Sequence, residues 1–411
     1  MKTPFLILMV FLIAEYFQGN RAFSQSADSY AKLKEGFETP PSNARPKVYY
    51  WWLNGNVDAV RVKEEIAAMD KVGISGFDIF EIGVPAQDTM VEPGPAFLSE
   101  ESLNSIKVAL DEAKKRNMDV GLNMASSWNA GGAWTTPENS AKSIYYSKIE
   151  VKGKSGGNLK LPFPKISKID AKGKERLISF ERNGKPVFYK EIAVVAIPLN
   201  NGKPDWDPAK IIDVSNQFDP QNEKLDWNLT GDWEVHRYIC SNSGEQLKLP
   251  SRNSVGPIID HFDAQATEAH FLYIIGKIKE VMGDLKNTAI KGLYLASYEA
   301  TGFVWTSTLP EEFKNINGYD INKFLPVLFN PDAFEKEVVE KFMKDHQRTL
   351  SELMIKNFYV LPNLNFGFNN SIPIDREFCF GWLTQVGQIN FDALFRAVFS
   401  FKDCRFCEYS Q

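Results

Sequence analysis

Short apolar runs alternate with amphipathic segments through most of this chain. The runs with the length and composition of buried strands are 48–53, 76–82, 119–124, 233–239 and 291–298. Asp58 and Ser99 stand where helix N-caps are expected, Gly73 follows the first helical segment, and a long amphipathic segment spans about 333 to 359. Strands that alternate with helices in this order are typical of an α/β fold with a parallel sheet.

The alternation is interrupted between about 143 and 220. Here the apolar runs are short and are separated by Gly, Lys, Asn and Pro, which predicts an inserted β-rich subdomain. The predicted division comprises a signal peptide at 1–24, a linker at 25–46, a first α/β part at 47–142, the insertion at 143–230, an α/β continuation at 231–359 and an atypical tail at 360–411.

The N-terminal residues are typical of a secretory signal peptide. Lys2 precedes an apolar run at 5–14, and Ala22-Phe23-Ser24 forms a small-residue cleavage site before Gln25. Neither this run nor any later one reaches the roughly 20 apolar residues of a membrane span. We therefore expect a periplasmic or secreted protein of about 387 residues without a membrane anchor.

The tail at 360–411 differs from the rest of the chain. It holds nine of the 30 Phe and three of the four Cys, and its apolar residues keep neither a helical nor a strand period. Cys404 and Cys407 match a C-x-x-C pattern, but the chain has no second pair and no neighbouring His for a zinc site. We interpret the tail as atypical of a folded domain, and its cysteines as neither a disulfide framework nor a metal site.

Charge and aromatic content limit the class of ligand. A formal net charge of −5, from 47 basic and 52 acidic residues, offers no basic surface for nucleic acid or anionic lipid. Nine Trp and 14 Tyr could stack on the apolar faces of sugars, or could simply fill the core. A neutral or weakly charged ligand is therefore favoured over nucleic acid.

One apolar run ends on a carboxylate. Residues 293–295 lead to Tyr298 and Glu299, and Gly302 and Trp305 follow. Enzymes with parallel barrels keep acids and bases at the carboxyl ends of their strands, and an apolar, aromatic environment raises the pKa of a carboxyl toward the range of a general acid. Glu299 is accordingly a candidate catalytic acid, although an ordinary exposed glutamate or a hydrogen-bond acceptor for a sugar hydroxyl would fit the same position.

Several blocks of this sequence resemble glycoside hydrolase family 106, the α-L-rhamnosidases. The blocks are YYWWLNG at 49–55, WNAGGAWTTPE at 128–138, SYE at 297–299, WT at 305–306 and GYD at 318–320. The resemblance covers about 45 to 359, including the insertion. It implies a (β/α)8 TIM-type barrel with β-rich accessory regions, and removal of terminal α-L-rhamnose from plant polysaccharides by an inverting, calcium-assisted mechanism. Glu299 falls on the Ser-Tyr-Glu motif and so looks like the general acid.

Other residues at predicted strand ends are candidates for contact with the sugar. They are Trp52, Asn54, Glu81, Asn123, Trp128, Asp260, Tyr298 and Trp305. One of the two adjacent tryptophans should face the helices and the other the barrel, because side chains alternate along a strand. Glu81 could bind a hydroxyl or calcium, or it could be a solvated or ion-paired glutamate. Asp260 could position sugar or metal, whereas Asp263 is more simply explained as a helix cap. No single loop supplies the six to eight oxygens that calcium prefers, so the metal ligands stay unassigned.

This sequence departs from the family pattern in two places. Ala296 stands where an Asp usually precedes the Ser-Tyr-Glu motif. An inverting enzyme also needs a second carboxylate, roughly 6.5 to 9.5 Å from the first, to activate water. The family motif for this base is not found after 359, where the only glutamates are Glu377 and Glu408, and only five or six barrel strands can be counted.

Three hypotheses follow from these departures. The first is an α-L-rhamnosidase-like glycosidase with an incomplete barrel, truncated or frameshifted near Tyr359 and impaired by the missing base. The second is a carbohydrate-binding remnant that does not hydrolyse its ligand, and the third is an inactive fragment. All three predict a rhamnose-containing glycan or no ligand, rather than nucleic acid or a membrane.

Overall fold

A parallel sheet follows the chain order, as the alternation predicts. The computed structural model describes residues 29–360, apart from 86, 154–155, 171–172, 296–297 and 301–302, and also the backbone of 374–376. The sheet has the order β1-β2-β3-β12-β13, and its strands are β1 (Lys47–Leu53), β2 (Gly76–Ile82), β3 (Asp119–Asn123), β12 (Ile290–Leu295) and β13 (Ile374–Arg376). All four pairings are parallel, which confirms the α/β class.

Six α-helices follow β1 in the described part of the chain. They are α1 (Ala59–Lys71), α2 (Glu100–Lys115), α3 (Ala264–Met282), α4 (Leu309–Asn317), α5 (Leu325–Phe329) and α6 (Lys336–Met354), the last continuing as a π-helix over Ile355–Val360. Three of them begin as predicted. Asp58 accepts hydrogen bonds from Val60 N and Arg61 N, and Ser99 accepts one from Ser102 N. Asp263 caps α3 in the same way, as its sequence position suggested.

The insertion forms antiparallel sheets of its own. The larger one has the order β4-β11-β6-β7, with β8 paired to β6, and the smaller one has the order β5-β10-β9. Their strands are β4 (Lys142–Val151), β5 (Asn158–Lys160), β6 (Tyr189–Asn200), β7 (Lys203–Pro204), β8 (Ile212–Asp213), β9 (Phe218–Asp219), β10 (Lys224–Asp226) and β11 (Trp233–Asn242).

The predicted end of the insertion at 230 is wrong. Strand β11 was expected to return the chain to the parallel sheet, but it pairs with β4 on one side and β6 on the other, both antiparallel. It is therefore the central strand of the insertion, which runs to about residue 242. Tyr238 and Cys240 pack in the main core, whereas Val235 packs in a second cluster with Trp227, so the strand is buried on both faces and its residues resemble those of a parallel strand.

The main core lies between the parallel sheet and the helices. Trp52, Phe77 and Ile79 pack there with Val62 and Ile66 of α1. The other face of the sheet carries Phe80, Ile82 and Tyr294, with Trp128 packed against them. The described strands establish a parallel α/β sheet, whereas a closed eight-stranded barrel stays a prediction. The predicted signal peptide, Ala296 and all of the predicted tail except Val360 and strand β13 lie outside the described residues.

Candidate functional site

The loops that follow β1, β2, β3 and β12 lie at one edge of the parallel sheet. Because all these strands run in the same direction, their carboxyl ends meet there, which is where open α/β sheets bind their ligands. Asn54 directly follows β1, Glu81 is the penultimate residue of β2, Asn123 ends β3, and Glu299 lies four residues beyond β12. The fold thus brings four of the predicted site residues to one edge.

The acid loop, defined here as residues 298–300 and 303–307, is packed against this edge. Glu299 and Tyr298 are each half-buried. The Tyr298 ring contacts the His261 ring at a centroid distance of 4.9 Å and the Phe262 ring at 5.5 Å. Burial, reinforced by the negative charges of Asp260 and Glu245, raises the pKa of Tyr298 well above its ordinary value. Tyr298 is therefore a neutral phenol, packed between the acid loop and the residues that precede α3.

The insertion holds the acid loop in place. Ser143 Oγ donates to Phe303 O at 2.7 Å, Trp305 N donates to Lys142 O at 3.3 Å, and Lys190 Nζ donates to Ser307 O at 3.3 Å. Lys142 and Ser143 begin β4, and Lys190 lies in β6. Trp305 itself is buried, with its ring stacked on His346 at 6.1 Å. The antiparallel sheet thus fixes the loop that carries the candidate acid.

Asp260 is buried beside this loop. Its Oδ1 accepts a hydrogen bond from Phe262 N at 3.1 Å, and its Oδ2 lies 3.9 Å from Lys142 Nζ. Burial raises the pKa of Asp260 to about 6, and the charge of Lys142 opposes that rise. Lys142 is held in turn by the backbone oxygen of Glu138 at 2.7 Å. The arrangement is a buried ion pair that joins the start of the insertion to the segment before α3.

Glu81 is a second buried carboxyl at the same edge. Only 2% of its surface is exposed, and Ser254 Oγ donates to its Oε1 at 3.2 Å. Burial raises the pKa of Glu81, while hydrogen bonding with Ser126, Ser251 and Ser254 opposes the rise. These serines come from loops distant in sequence, so the sequence alone offered no signal that would group them. Their hydroxyls make this a polar pocket around one carboxyl.

Two predicted asparagines bind the protein's own backbone. Asn54 Nδ2 donates to Val91 O at 3.0 Å, and Asn54 Oδ1 accepts from Arg252 N at 2.9 Å. Asn123 Nδ2 donates to Ala125 O at 2.8 Å and to Ser127 O at 2.7 Å. Both amides therefore shape the loops of the site, and a direct contact with sugar stays a prediction for each.

Trp51 presents the ring on the open face of the first strand, and Trp52 does not. Trp52 is 4% exposed and packs in the helix-side core, whereas Trp51 is 41% exposed. The Trp128 ring lies 4.9 Å from Phe80 and 5.8 Å from Trp51, and Tyr49 lies alongside. The two adjacent tryptophans face opposite ways, as the alternation predicts, but the prediction of Trp52 as the site residue is wrong, because Trp52 packs under the helices and Trp51 lies on the open face. We define Tyr49, Trp51, Phe80 and Trp128 as the aromatic face.

The calcium that the family resemblance implies stays a prediction. The described residues bring together no group of three or more His, Cys, Asp or Glu side chains that could hold a metal ion. Calcium takes six to eight oxygen ligands, usually including several carboxylates. Glu81 has three serine hydroxyls beside it but no second carboxylate. No catalytic step is therefore derived through a metal ion.

Comparison with known proteins places the chain in a family. The family model described as alpha-L-rhamnosidase matches residues 38–208 and 203–363, which together are most of the chain. The chain belongs to glycoside hydrolase family 106. This confirms the resemblance drawn from the sequence blocks.

Two proteins of known name resemble this family 106 member. A protein from Formosa agariphila, named “Putative beta-glucuronidase”, is 27% identical over 372 residues, which cover 82% of this chain and 30% of that protein. The structure of a rhamnosidase from Novosphingobium sp. PP1Y superposes with a TM-score of 0.64 at 17% identity, covering 84% of this chain and 47% of that one. The chain thus spans less than half the length of either relative. At this identity the structural likeness supports the α/β fold alone.

The family 106 chain carries no helix suited to a membrane among its described residues. None is both long enough and apolar enough to cross a bilayer.

Proposed function

We propose that this family 106 protein removes terminal α-L-rhamnose from a plant polysaccharide or oligosaccharide, with Glu299 as general acid. The observation that carries the proposal is the position of Glu299. It is a half-buried carboxyl on the acid loop after β12, at the ligand-binding edge of a parallel sheet and in the family's Ser-Tyr-Glu context. Export after cleavage of a signal peptide belongs to the same proposal.

The proposed chemistry assigns one step to Glu299. Its carboxyl gives a proton to the glycosidic oxygen as the bond to the anomeric carbon breaks, and the leaving alcohol departs neutral. In an inverting mechanism, a water on the opposite face of the ring attacks the anomeric carbon and gives its proton to a second carboxylate. Asp260 faces Lys142, and Glu81 faces three serines, so we assign neither as this base. Impaired turnover stays a prediction.

The aromatic face supports a sugar as the ligand. Trp51 and Tyr49 are about two-fifths exposed, and Trp128 packs beside them. Indole and phenol rings can stack on the apolar face of a hexose while their polar tips meet hydroxyls. Rhamnose offers such a face and a methyl group at C5. The aromatic face also favours the second candidate, a carbohydrate-binding protein that does not hydrolyse its ligand.

The test uses purified full-length chain with 4-nitrophenyl α-L-rhamnoside and 4-nitrophenyl β-D-glucuronide, each with and without calcium. The second substrate is included because of the name of the Formosa relative. We expect turnover of the rhamnoside. Hydrolysis by Glu299→Gln should be slower, but by a smaller factor than on an alkyl rhamnoside, because 4-nitrophenolate is a good leaving group that needs only part of the protonation. Glu311→Gln, which removes an exposed carboxylate from α4, should keep the wild-type rate.

Other outcomes discriminate between the hypotheses. Turnover of an alkyl rhamnoside that Glu299→Gln leaves unchanged would remove the acid assignment, and preferential glucuronide turnover would overturn the choice of sugar. Binding of L-rhamnose by calorimetry without turnover would favour the non-catalytic candidate. A rate that depends on added calcium would support the cofactor that the family implies, with ligands still to be found.

A further inference from the structure

A second cleft lies between the insertion and the loops of the parallel-sheet part. Its volume is about 400 Å³, and it is bordered by segment 175–179 on one side and by residues 133–140 and 255–257 on the other. We call it the insertion cleft. The residues that bear on its chemistry are Thr135, Asn242, Glu175 and Arg176. None of these belongs to the predicted sugar site or to the acid loop.

Arg176 supplies a cation to this cleft. Its side chain is partly buried and hydrogen-bonds with Tyr145, and its guanidinium has no ion pair with a carboxylate among the described residues. It lies beside Tyr145, whose hydroxyl donates to Asn242 O at 2.8 Å. Burial raises the pKa of Tyr145 to about 12, and the positive charge of Arg176 opposes this rise. A guanidinium in a cleft without an acidic partner is available to an anionic ligand.

The backbone around Arg176 is closely held. Arg176 N donates to Lys168 O at 2.8 Å, and Leu177 N donates to Gly244 O at 3.1 Å. Gly244 has a φ of +73°, and a Cβ added there would lie 2.5 Å from the Arg176 Cβ. A glycine is therefore required for this approach, and it fixes where the Arg176 side chain leaves the backbone. The cation is thus positioned before any ligand binds.

The opposite wall adds a hydroxyl. Thr135 Oγ1 is buried and has no hydrogen-bond partner among the described residues. A buried hydroxyl without a partner is costly, so a ligand or water that satisfies it gains free energy. Glu175 also borders the cleft, and its negative charge opposes an anion.

We propose that the insertion cleft binds an anionic group on a saccharide, a carboxylate or a sulfate ester, through Arg176 with Thr135 as an added donor. The cleft is distinct from the acid loop. Ala141 and Ile258, which directly follow the wall residues Ser140 and Pro257, pack against Ala300 on the acid-loop side. Binding at the cleft therefore does not require hydrolysis, and the proposal stands or falls separately from the proposed function.

Saturation-transfer NMR on the full chain tests this proposal. The probes are D-galacturonate, galactose 6-sulfate and neutral D-galactose, which share a ring and differ in the group at C6. We expect the acidic probes to bind at least about tenfold more tightly than galactose, and Arg176→Gln to remove that difference. The acidic probe that binds more tightly shows whether the cleft prefers a carboxylate or a sulfate ester.

Matched variants distinguish specific binding by Arg176 from a general attraction of the probes to positive charge. Arg182→Gln removes an exposed cation from the same subdomain and should leave the affinities unchanged. Glu175→Gln should tighten both acidic probes, and Arg176→Lys should retain part of the binding. Equal binding of galactose, no effect of Arg176→Gln, or an equal loss in Arg182→Gln would overturn the proposal. Thermal unfolding of each variant shows that the comparison is made on folded protein.

Discussion

Asp260 provides a quantitative test of the site in the absence of any substrate. Its carboxyl is 1% exposed, and the nearest cation, Lys142 Nζ, is 3.9 Å from Oδ2. Burial raises its pKa from 3.8 to about 6 in the folded protein. Asp260→Asn replaces this carboxyl by an amide of the same shape that cannot ionise.

The sign of the effect follows from the direction of the pKa change. Because the folded pKa is higher, the folded protein keeps a proton on Asp260 between about pH 4 and pH 6 that the unfolded chain has released. Its contribution to the free energy of unfolding is present below pH 4 and is lost as the pH rises through 6. A difference of about two pKa units, at about 1.4 kcal/mol each, is worth about 3 kcal/mol.

Urea unfolding, followed by tryptophan fluorescence between pH 4 and pH 7.5, measures this contribution of Asp260 to the free energy of unfolding. We expect the stability of wild type relative to Asp260→Asn to fall by up to about 3 kcal/mol across that range. Asp284→Asn, at an exposed 3₁₀ turn where the carboxylate accepts from Lys286 N, serves as the control. If wild type and Asp260→Asn give parallel profiles, the carboxyl is not desolvated as described.

Two further pairs of substitutions test the packing around the site. Trp52→Ala should cost about 3–5 kcal/mol in urea unfolding, because it empties a core position, whereas Trp51→Ala should cost far less and should weaken L-rhamnose binding in calorimetry. The reverse order of stabilities would mean that the faces of β1 are exchanged. Gly94→Ala should lower the thermal midpoint because its Cβ would collide with Gly55 O, and Gly276→Ala, on the exposed face of α3 with open space around it, should raise stability by about 0.5–1 kcal/mol. A tolerated Gly94→Ala, or a destabilising Gly276→Ala, would contradict the described packing.

Local signals explain why much of the α/β part could be predicted. Side-chain caps such as Asp58 and Ser99 act within three residues, and apolar periodicity shows which face of a helix is buried. These signals depend on neighbours in sequence. The sequence assigns β11 to the wrong sheet because an apolar run does not specify its partners, and its pairing with β4 and β6 depends on residues about 35 to 100 positions away.

The site was predictable only in part, for the same reason. The position of Glu299 after a strand follows from the local sequence, and the family blocks mark Glu299 as the candidate acid. The serines around Glu81 come from positions 126, 251 and 254, and the partner of Asp260 is Lys142, at the start of the insertion. Alternation separated Trp51 from Trp52 but could not say which face would be covered by helices.

The central claim, that Glu299 is the general acid of a family 106 glycosidase, is tested most directly by the dependence of rate on the leaving group. Wild type and Glu299→Gln are compared on α-L-rhamnosides whose leaving groups range from 2,4-dinitrophenol to a simple alcohol. A departing dinitrophenolate needs little protonation, whereas an alcohol needs it fully. We predict that Glu299→Gln retains much of the rate on the dinitrophenyl substrate and loses about 10²-fold or more on the alkyl substrate. An equal loss on both substrates, or no loss on either, would contradict the assignment of Glu299.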